Sequence, residues 1–200
     1  MLRKKCYATV IGAAIVLMLV SCSGGPKRIN LAYTPGATGP FPRAAAGQEV
    51  IVNTFKDSRP EKHIGEARNY SGHVFFTVEA DNDVSAWVTN AVAAELEKSG
   101  FKVTVGENVD NPEKFVINGN ISQVWAHGII TEMRVTIQVV KDYKIILNKS
   151  YSEEGSKVGR VTAPIVYMID YLTLYDIALQ DLMEKMIPQI ITAINQSAGN

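Results

Sequence analysis

Met133-Arg134-Val135-Thr136-Ile137-Gln138-Val139 alternates apolar and polar side chains without a break. Successive side chains of a strand point to opposite faces, so this run predicts a long strand with one buried face. Moving forward, Lys141-Asp142 separates it from a second strand, Tyr143 to Tyr151, at a spacing that suits a tight hairpin. Moving back, Phe115 to Trp125 forms another strand, with Gly119 as a candidate bulge. Phe101, Val103 and Val105 alternate with Lys102 and Thr104 in the same way. Long strands with one apolar and one polar face indicate an antiparallel sheet covered on one side.

Two helices supply the cover. Asp81 to Ser99 has cap residues at Asp81, Asn82 and Asp83, and Gly100 stands where a left-handed terminating residue belongs. Val84, Trp87, Val88, Ala91 and Val92 share one face, with Leu96 at its margin. Trp87 is expected as a core anchor, and Glu95 and Lys98 as the solvent side. From about Ile169 to Asn195 a broad apolar stripe returns, with Pro188 expected to kink or split it, because the ring removes a helix hydrogen bond. Glu49 to Phe55 and His73 to Glu79 read as further strands, separated by a polar loop from Lys56 to Gly72. The prediction is an α+β two-layer sandwich, its mostly antiparallel sheet packed by an internal helix and a C-terminal helix.

The first 47 residues have a different character. Arg3, Lys4 and Lys5 precede an apolar run from Ala8 to Val20, and small residues surround Cys22. This is the pattern of a secretory signal, and the run is shorter than the roughly 20 residues that span a bilayer. Leu19-Val20-Ser21-Cys22 resembles the lipobox of bacterial lipoproteins. The resemblance implies cleavage between Ser21 and Cys22, a thioether-linked lipid on Cys22, and acylation of the freed amine. Two or more acyl chains anchor stably where one is marginal. Ser23, where an aspartate would favour inner-membrane retention in enterobacterial-type sorting, favours the outer membrane with the domain in the periplasm.

The chain is thus divided into a leader over residues 1–21, a lipidated cysteine and tether over 22–47, and one domain over 48–200. The tether is expected from Ser23-Gly24-Gly25-Pro26 and from Thr34-Pro35-Gly36-Ala37-Thr38-Gly39-Pro40, with Ile29 to Tyr33 as a possible docking strand. Fully stretched, about 25 residues at roughly 3.3 Å each reach some 80 Å. Without the leader the chain is slightly acidic, which gives no sign of nucleic-acid binding. Cys6 leaves with the leader, so no internal disulfide forms and a packed core must carry stability.

No H-E-x-x-H, G-x-S-x-G, P-loop or dinucleotide fingerprint is present, and His63, His73 and His127 lack metal-ligand spacing. The chain reads as a non-enzyme with no cofactor beyond the covalent lipid and no metal. The most distinctive cluster is Phe55-x-Asp57-x-Arg59-Pro60, followed by Ile64-Gly65, Asn69 and Gly72. Its simplest reading is structural: Asp57 caps a turn, Arg59 pairs with a carboxylate, and glycines take positive φ. Its functional reading makes Asp57, Arg59 and Tyr70 a docking loop for a partner. Tyr143, Tyr151, Tyr167, Tyr171 and Tyr175 are either half-buried packing or the lining of a groove.

The lipobox, the Pro/Gly-rich segment and a strand leading into F-x-D-x-R-P, I-G and N-x-x-G together resemble the YajG-like family of uncharacterised bacterial periplasmic lipoproteins. Lys98 to Val103, the Gly119 to Ile121 strand and the V-x-I-x-V strand follow in the same order, so the likeness spans roughly residues 48 to 197. The helix-to-strand passage is also similar to TolB N-terminal-type domains and related modules of curli-secretion and peptidoglycan-synthase-activating lipoproteins. The resemblance implies an envelope interaction module, bound to its membrane by the lipid and to an envelope protein partner. It gives no catalytic residue and no oligomeric state. Two alternatives stand beside it: an accessory lipoprotein of lipid or lipopolysaccharide transport, with an apolar groove between sheet and C-terminal helix, and a periplasmic hydrolase.

Overall fold

The structure is a computed structural model that describes residues 25–35, 41–45, 47–68, 71–128, 130–156 and 171–199. Cys22, Ser21, Asn69, Tyr70 and Tyr167 lie outside the described residues, as does the leader. Among the described residues there are nine strands, β1 (Lys27–Ile29), β2 (Glu49–Asn53), β3 (Lys56–Asp57), β4 (Gly65–Arg68), β5 (Val74–Ala80), β6 (Lys102–Gly106), β7 (Phe115–His127), β8 (Ile130–Lys141) and β9 (Lys144–Ser156). Two helices accompany them, here named α1 (Val84–Lys98) and α2 (Tyr171–Ala198). No helix among the described residues is long and apolar enough to cross a membrane.

The α+β sandwich expected from the sequence is the architecture observed. β7, β8 and β9 form an antiparallel meander as the alternation predicts. The sheet as a whole is mixed, because β2, β3 and β4 all run parallel to β7 along its other edge. Beyond them, β6 pairs in parallel with β2, and β5 pairs antiparallel with β4. Alternation shows which side chains face the core, but it does not show which way a neighbouring strand runs. The meander turn lies at Asp142-Tyr143, one residue beyond the expected position, and both residues have positive φ (51° and 61°), the conformation of the favoured hairpin turn.

Asp83 caps α1 by accepting from the Ser85 and Ala86 amides. Gly100, with φ 98°, ends the helix. Val84, Trp87, Val88, Ala91, Val92 and Leu96 are all buried, as their spacing predicts. Glu95 is not on the solvent side: it is 0% exposed and its Oε1 accepts a 2.6 Å hydrogen bond from the Tyr33 hydroxyl. The cause is the N-terminal segment, which crosses that side of α1. Leu31 is buried, its backbone amide and carbonyl bond the Asn82 side chain, and Trp87 Nε1 donates to the Ala32 carbonyl. β1 pairs with β5, and Ala44 bonds Ser99. The docked stretch expected at Ile29 to Tyr33 is therefore present, and it begins two residues earlier.

α2 lies across the sheet and runs through Pro188 as one helix, without the expected split. Leu174, Ala178, Leu182, Met186, Ile190 and Ile194 are fully buried along it, so packing on both sides of the proline compensates for the missing amide donor. With Met183, Ile187 and Ile191 also fully buried, apolar side chains fill the interface between sheet and helix among the described residues.

Candidate functional site

The segment expected as a loop from Lys56 to Gly72 is in part sheet, and the F-x-D-x-R-P cluster marks where that sheet is interrupted. β2, β3 and β4 are successive pieces of one strand running beside β7. Val52 is level with Ile117, Asp57 with Ile121, and Gly65 with Ala126. Five steps along the first strand thus match four along β7, and eight then match five. One residue is extra before Asp57 and three more before Gly65.

The first irregularity is held by Phe55, whose amide bonds the Thr89 hydroxyl of α1 at 2.9 Å and whose ring packs on Gly119. Gly119 is therefore not itself a bulge; its missing side chain makes room for the ring. The second is the excursion from Arg59 to His63. Ser58 bonds the Ile121 carbonyl before it, and the Ile64 carbonyl accepts from the Ala126 amide after it. That same carbonyl accepts a 2.5 Å bond from the Tyr175 hydroxyl. A side chain at Gly65 would stand 2.5 Å from the Ala126 carbonyl oxygen, so only glycine permits β4 to join β7 here.

Within the excursion Arg59 folds back onto Asp57. Its Nε and Nη2 donate to the two carboxylate oxygens at 2.8 and 2.7 Å, and its amide donates to Oδ1 at 3.1 Å. This is the bidentate fork that guanidinium and carboxylate favour. The Arg59 side chain is only 7% exposed, and the Asp57 side chain 34%. Arg59 bonding holds the Asp57 carboxyl below its ordinary range, against the opposing effect of burial. One donor is left over: Arg59 Nη1 is shut away from solvent and has no hydrogen-bond partner.

Arg59, Pro60, Glu61 and His63 face Ser122, Gln123, Val124 and Trp125 across a pocket of about 40 Å³. His63 stands edge-on to Trp125 with ring centroids 5.0 Å apart. Ser122 is itself the extra residue where β7 slips against β8, so two strand irregularities meet at this pocket. A space of this size holds one water or a single carbonyl or carboxylate group. Arg59 lines it beside the His63 and Trp125 rings. Among the described residues no three His, Cys, Asp or Glu side chains gather into a metal site.

Asp57 and Arg59, singled out in the sequence, are thus joined directly, whereas Tyr70 lies outside the described residues. The sequence marks His63 only as an isolated histidine and Trp125 and Gln123 only as strand residues; the Arg59 to His63 excursion and the slip between β7 and β8 bring them together. The described tyrosines of that set do not share a groove: Tyr175, Tyr171 and Tyr151 are buried, while Tyr143 is 71% exposed at the hairpin tip. A second, shallow concavity of about 500 Å³ lies between residues 31–35 and the outer side of α1, lined by Leu31, Tyr33, Pro35, Ala86, Asn90 and Ala94 among others.

No protein-family model and no curated protein matches the chain, so the likeness to YajG-like lipoproteins has no support from that side. Solved structures do match. Protein XCC0632 from Xanthomonas campestris, a DUF330 protein, superposes with a TM-score of 0.57 at 10% identity, over 88% of this chain and 99% of that one. An uncharacterised protein superposes with a TM-score of 0.50 at 8% identity, over 80% and 99%. At such identities the likeness is one of fold: the chain shares its architecture with a DUF330 protein across nearly that protein's whole length.

Proposed function

We propose that this chain is a bacterial envelope lipoprotein, anchored through lipid on Cys22 in the outer membrane, whose periplasmic domain is a non-catalytic binding or scaffold module for another envelope component. The observation that carries the reading is the Leu19-Val20-Ser21-Cys22 lipobox behind a basic and then apolar leader. The Arg59 pocket supports the binding role, since it sets an arginine beside the His63 and Trp125 rings at the surface. The filled interface between sheet and α2 favours it over lipid carriage.

The test is metabolic labelling with an alkyne palmitate in cells making the wild-type chain or Cys22→Ala, followed by separation of inner and outer membranes. Label on the wild type alone, in the outer-membrane fraction, supports the address; equal label on both variants sinks it. For the binding role, a photoreactive residue at Glu61 on the pocket rim should give a discrete protein adduct that disappears in Arg59→Gln. Adducts to lipid alone would count against it.

A further inference from the structure

We infer that the end of the sheet bearing Val74, Phe75 and Leu172 rests on the bilayer that holds Cys22, a placement that depends on the lipid-anchor reading above. Two independent geometries lead there, the direction of β1 with the number of residues between it and Cys22, and the position of the exposed apolar side chains.

β1 is parallel to β5 with Lys27 level with Val78. Going back from Lys27, the chain therefore leaves in the direction in which β5 runs back from Val78 to Val74. Of the segment expected to reach some 80 Å, described residues are docked: β1 pairs with β5, Tyr33 bonds Glu95 and Ala45 bonds Asn195. Only five residue steps separate Cys22 from Lys27, which span at most about 17 Å when fully extended. Val74 lies four residues beyond Val78 in the same direction, about 13 Å at the rise of a strand. The lipidated cysteine can therefore pass the Val74 end by only a few ångströms. A bilayer that receives its acyl chains lies against that end.

The side chains at that end suit it. Phe75 is the extra residue where β5 slips against β4, since Ala67 pairs with Phe76 and Arg68 with Val74. The bulge turns the ring outward, 58% exposed, beside the exposed Val74. Leu172, also exposed, lies in the first turn of α2, which runs from the Glu66 level, where the Tyr171 hydroxyl donates to the Glu66 carbonyl, to the Ile64 level at Tyr175, so the start of the helix is directed toward the Arg68 and Val74 end. Arg68, level with Val74 and bridged to Glu66, and Lys27, over the Tyr171 ring, put cationic side chains beside these apolar groups. Exposed apolar side chains with long cationic ones nearby fit the headgroup layer.

Another exposed apolar pair, Tyr143 and Ile145, is at the opposite end. Through Val78 and Gly65, Lys27 is level with Ala126, while Ile145 is level with Val140 and Val116. Those levels are ten residues apart on β7, about 33 Å, which exceeds the greatest length the five steps from Lys27 to Cys22 can span. Tyr143 therefore serves as the internal control.

The experiment uses the full-length lipidated protein, reconstituted in vesicles of phosphatidylethanolamine and phosphatidylglycerol with a nitroxide lipid labelled near the headgroup. Single variants Phe75→Cys, Leu172→Cys and Tyr143→Cys carry a fluorophore; the Cys22 sulfur is blocked by its thioether, so each protein takes one dye. The expected result is loss of most emission at positions 75 and 172 and none at 143. Equal emission at both ends, in protein that floats with the vesicles and shows an acylated N-terminal peptide by mass spectrometry, overturns the placement and leaves the anchor reading intact. Quenching at 143 equal to that at 75 overturns it as well. An N-terminal peptide without acyl chains, in protein that does not float, removes both.

Discussion

The ring of Phe55 lies on the backbone of Gly119, so close that a methyl group added to the glycine would fall well inside contact distance of three ring carbons. Phe55 is fully buried and its own amide is tied to Thr89, so the ring cannot withdraw without disturbing α1. Gly119→Ala is expected to destabilise the fold by about 1–3 kcal/mol, the usual range for overpacking a well-filled core. Urea unfolding followed by circular dichroism measures this. Adding Phe55→Leu to Gly119→Ala should recover part of the loss, because the two side chains are in direct contact; strictly additive losses would show that the contact is not the cause.

The pairing of Asp57 with Arg59 predicts a specific sensitivity to acid. Arg59 holds the Asp57 carboxyl below its ordinary value, so this group contributes stability above the unfolded value near 3.8 and loses it as pH falls through the lower folded value. Asp57→Asn should therefore be less stable than wild type at pH 7, by about 1–3 kcal/mol. That is below the range for breaking a fully buried pair, because the carboxylate is one-third open to solvent. The gap should narrow between pH 4 and pH 2 in thermal unfolding. A constant gap across that interval would mean that the variant acts through packing alone.

What the sequence disclosed and what it hid follow one physical distinction. The seven residues from Met133 to Val139 announce a strand because period two is a local property, and α1 announces itself through its cap, its stripe and Gly100 for the same reason. The approach of Tyr33 to Glu95 is not local: 62 residues separate them. A glutamate on the flank of an amphipathic helix reads as solvent-facing until another part of the chain covers it. Likewise β4 is four residues long and begins with a glycine that a propensity argument assigns to a loop. Its reason for being glycine is the carbonyl of Ala126, 61 positions away. The Asp57–Arg59 cluster was visible as a motif, but the pocket beside it depends on the slip at Ser122, which alternation does not register.

Tyr175 extends the same logic to high pH. Burial is the main cause that pushes its phenol well above the ordinary value, with Tyr171 adding to the shift and Arg59 opposing it, and burial likewise raises Tyr33, reinforced by its bond to Glu95. A phenol whose folded value is raised contributes stability that is complete below the unfolded value near 10 and is lost above it. The protein should therefore unfold cooperatively on the alkaline side, with the absorbance of the buried tyrosines changing together with the loss of structure. Tyr175→Phe should weaken the protein at neutral pH by about 1–2 kcal/mol, since the Ile64 carbonyl loses one of its two donors. It should also lessen the alkaline loss. An absorbance change completed before any unfolding would contradict the burial of these groups.

Pro188 supplies the remaining prediction. An internal proline removes one helix hydrogen bond and crowds the carbonyl four residues earlier, at a cost of about 3 kcal/mol in an unsupported helix. Here Met186 and Ile187 before it and Ile190 and Ile191 after it are fully buried, so packing keeps the helix continuous through the ring. Replacing the proline restores the amide donor without removing any of those contacts. Pro188→Ala is accordingly expected to stabilise the protein by about 1–2 kcal/mol, less than the full helix penalty, because the added backbone freedom of the unfolded chain opposes it. A rise in the thermal midpoint would confirm that α2 tolerates the ring without using it. A fall would show that the bend it imposes is needed to follow the twisted sheet, and that the packing of Ile190 and Ile194 depends on it.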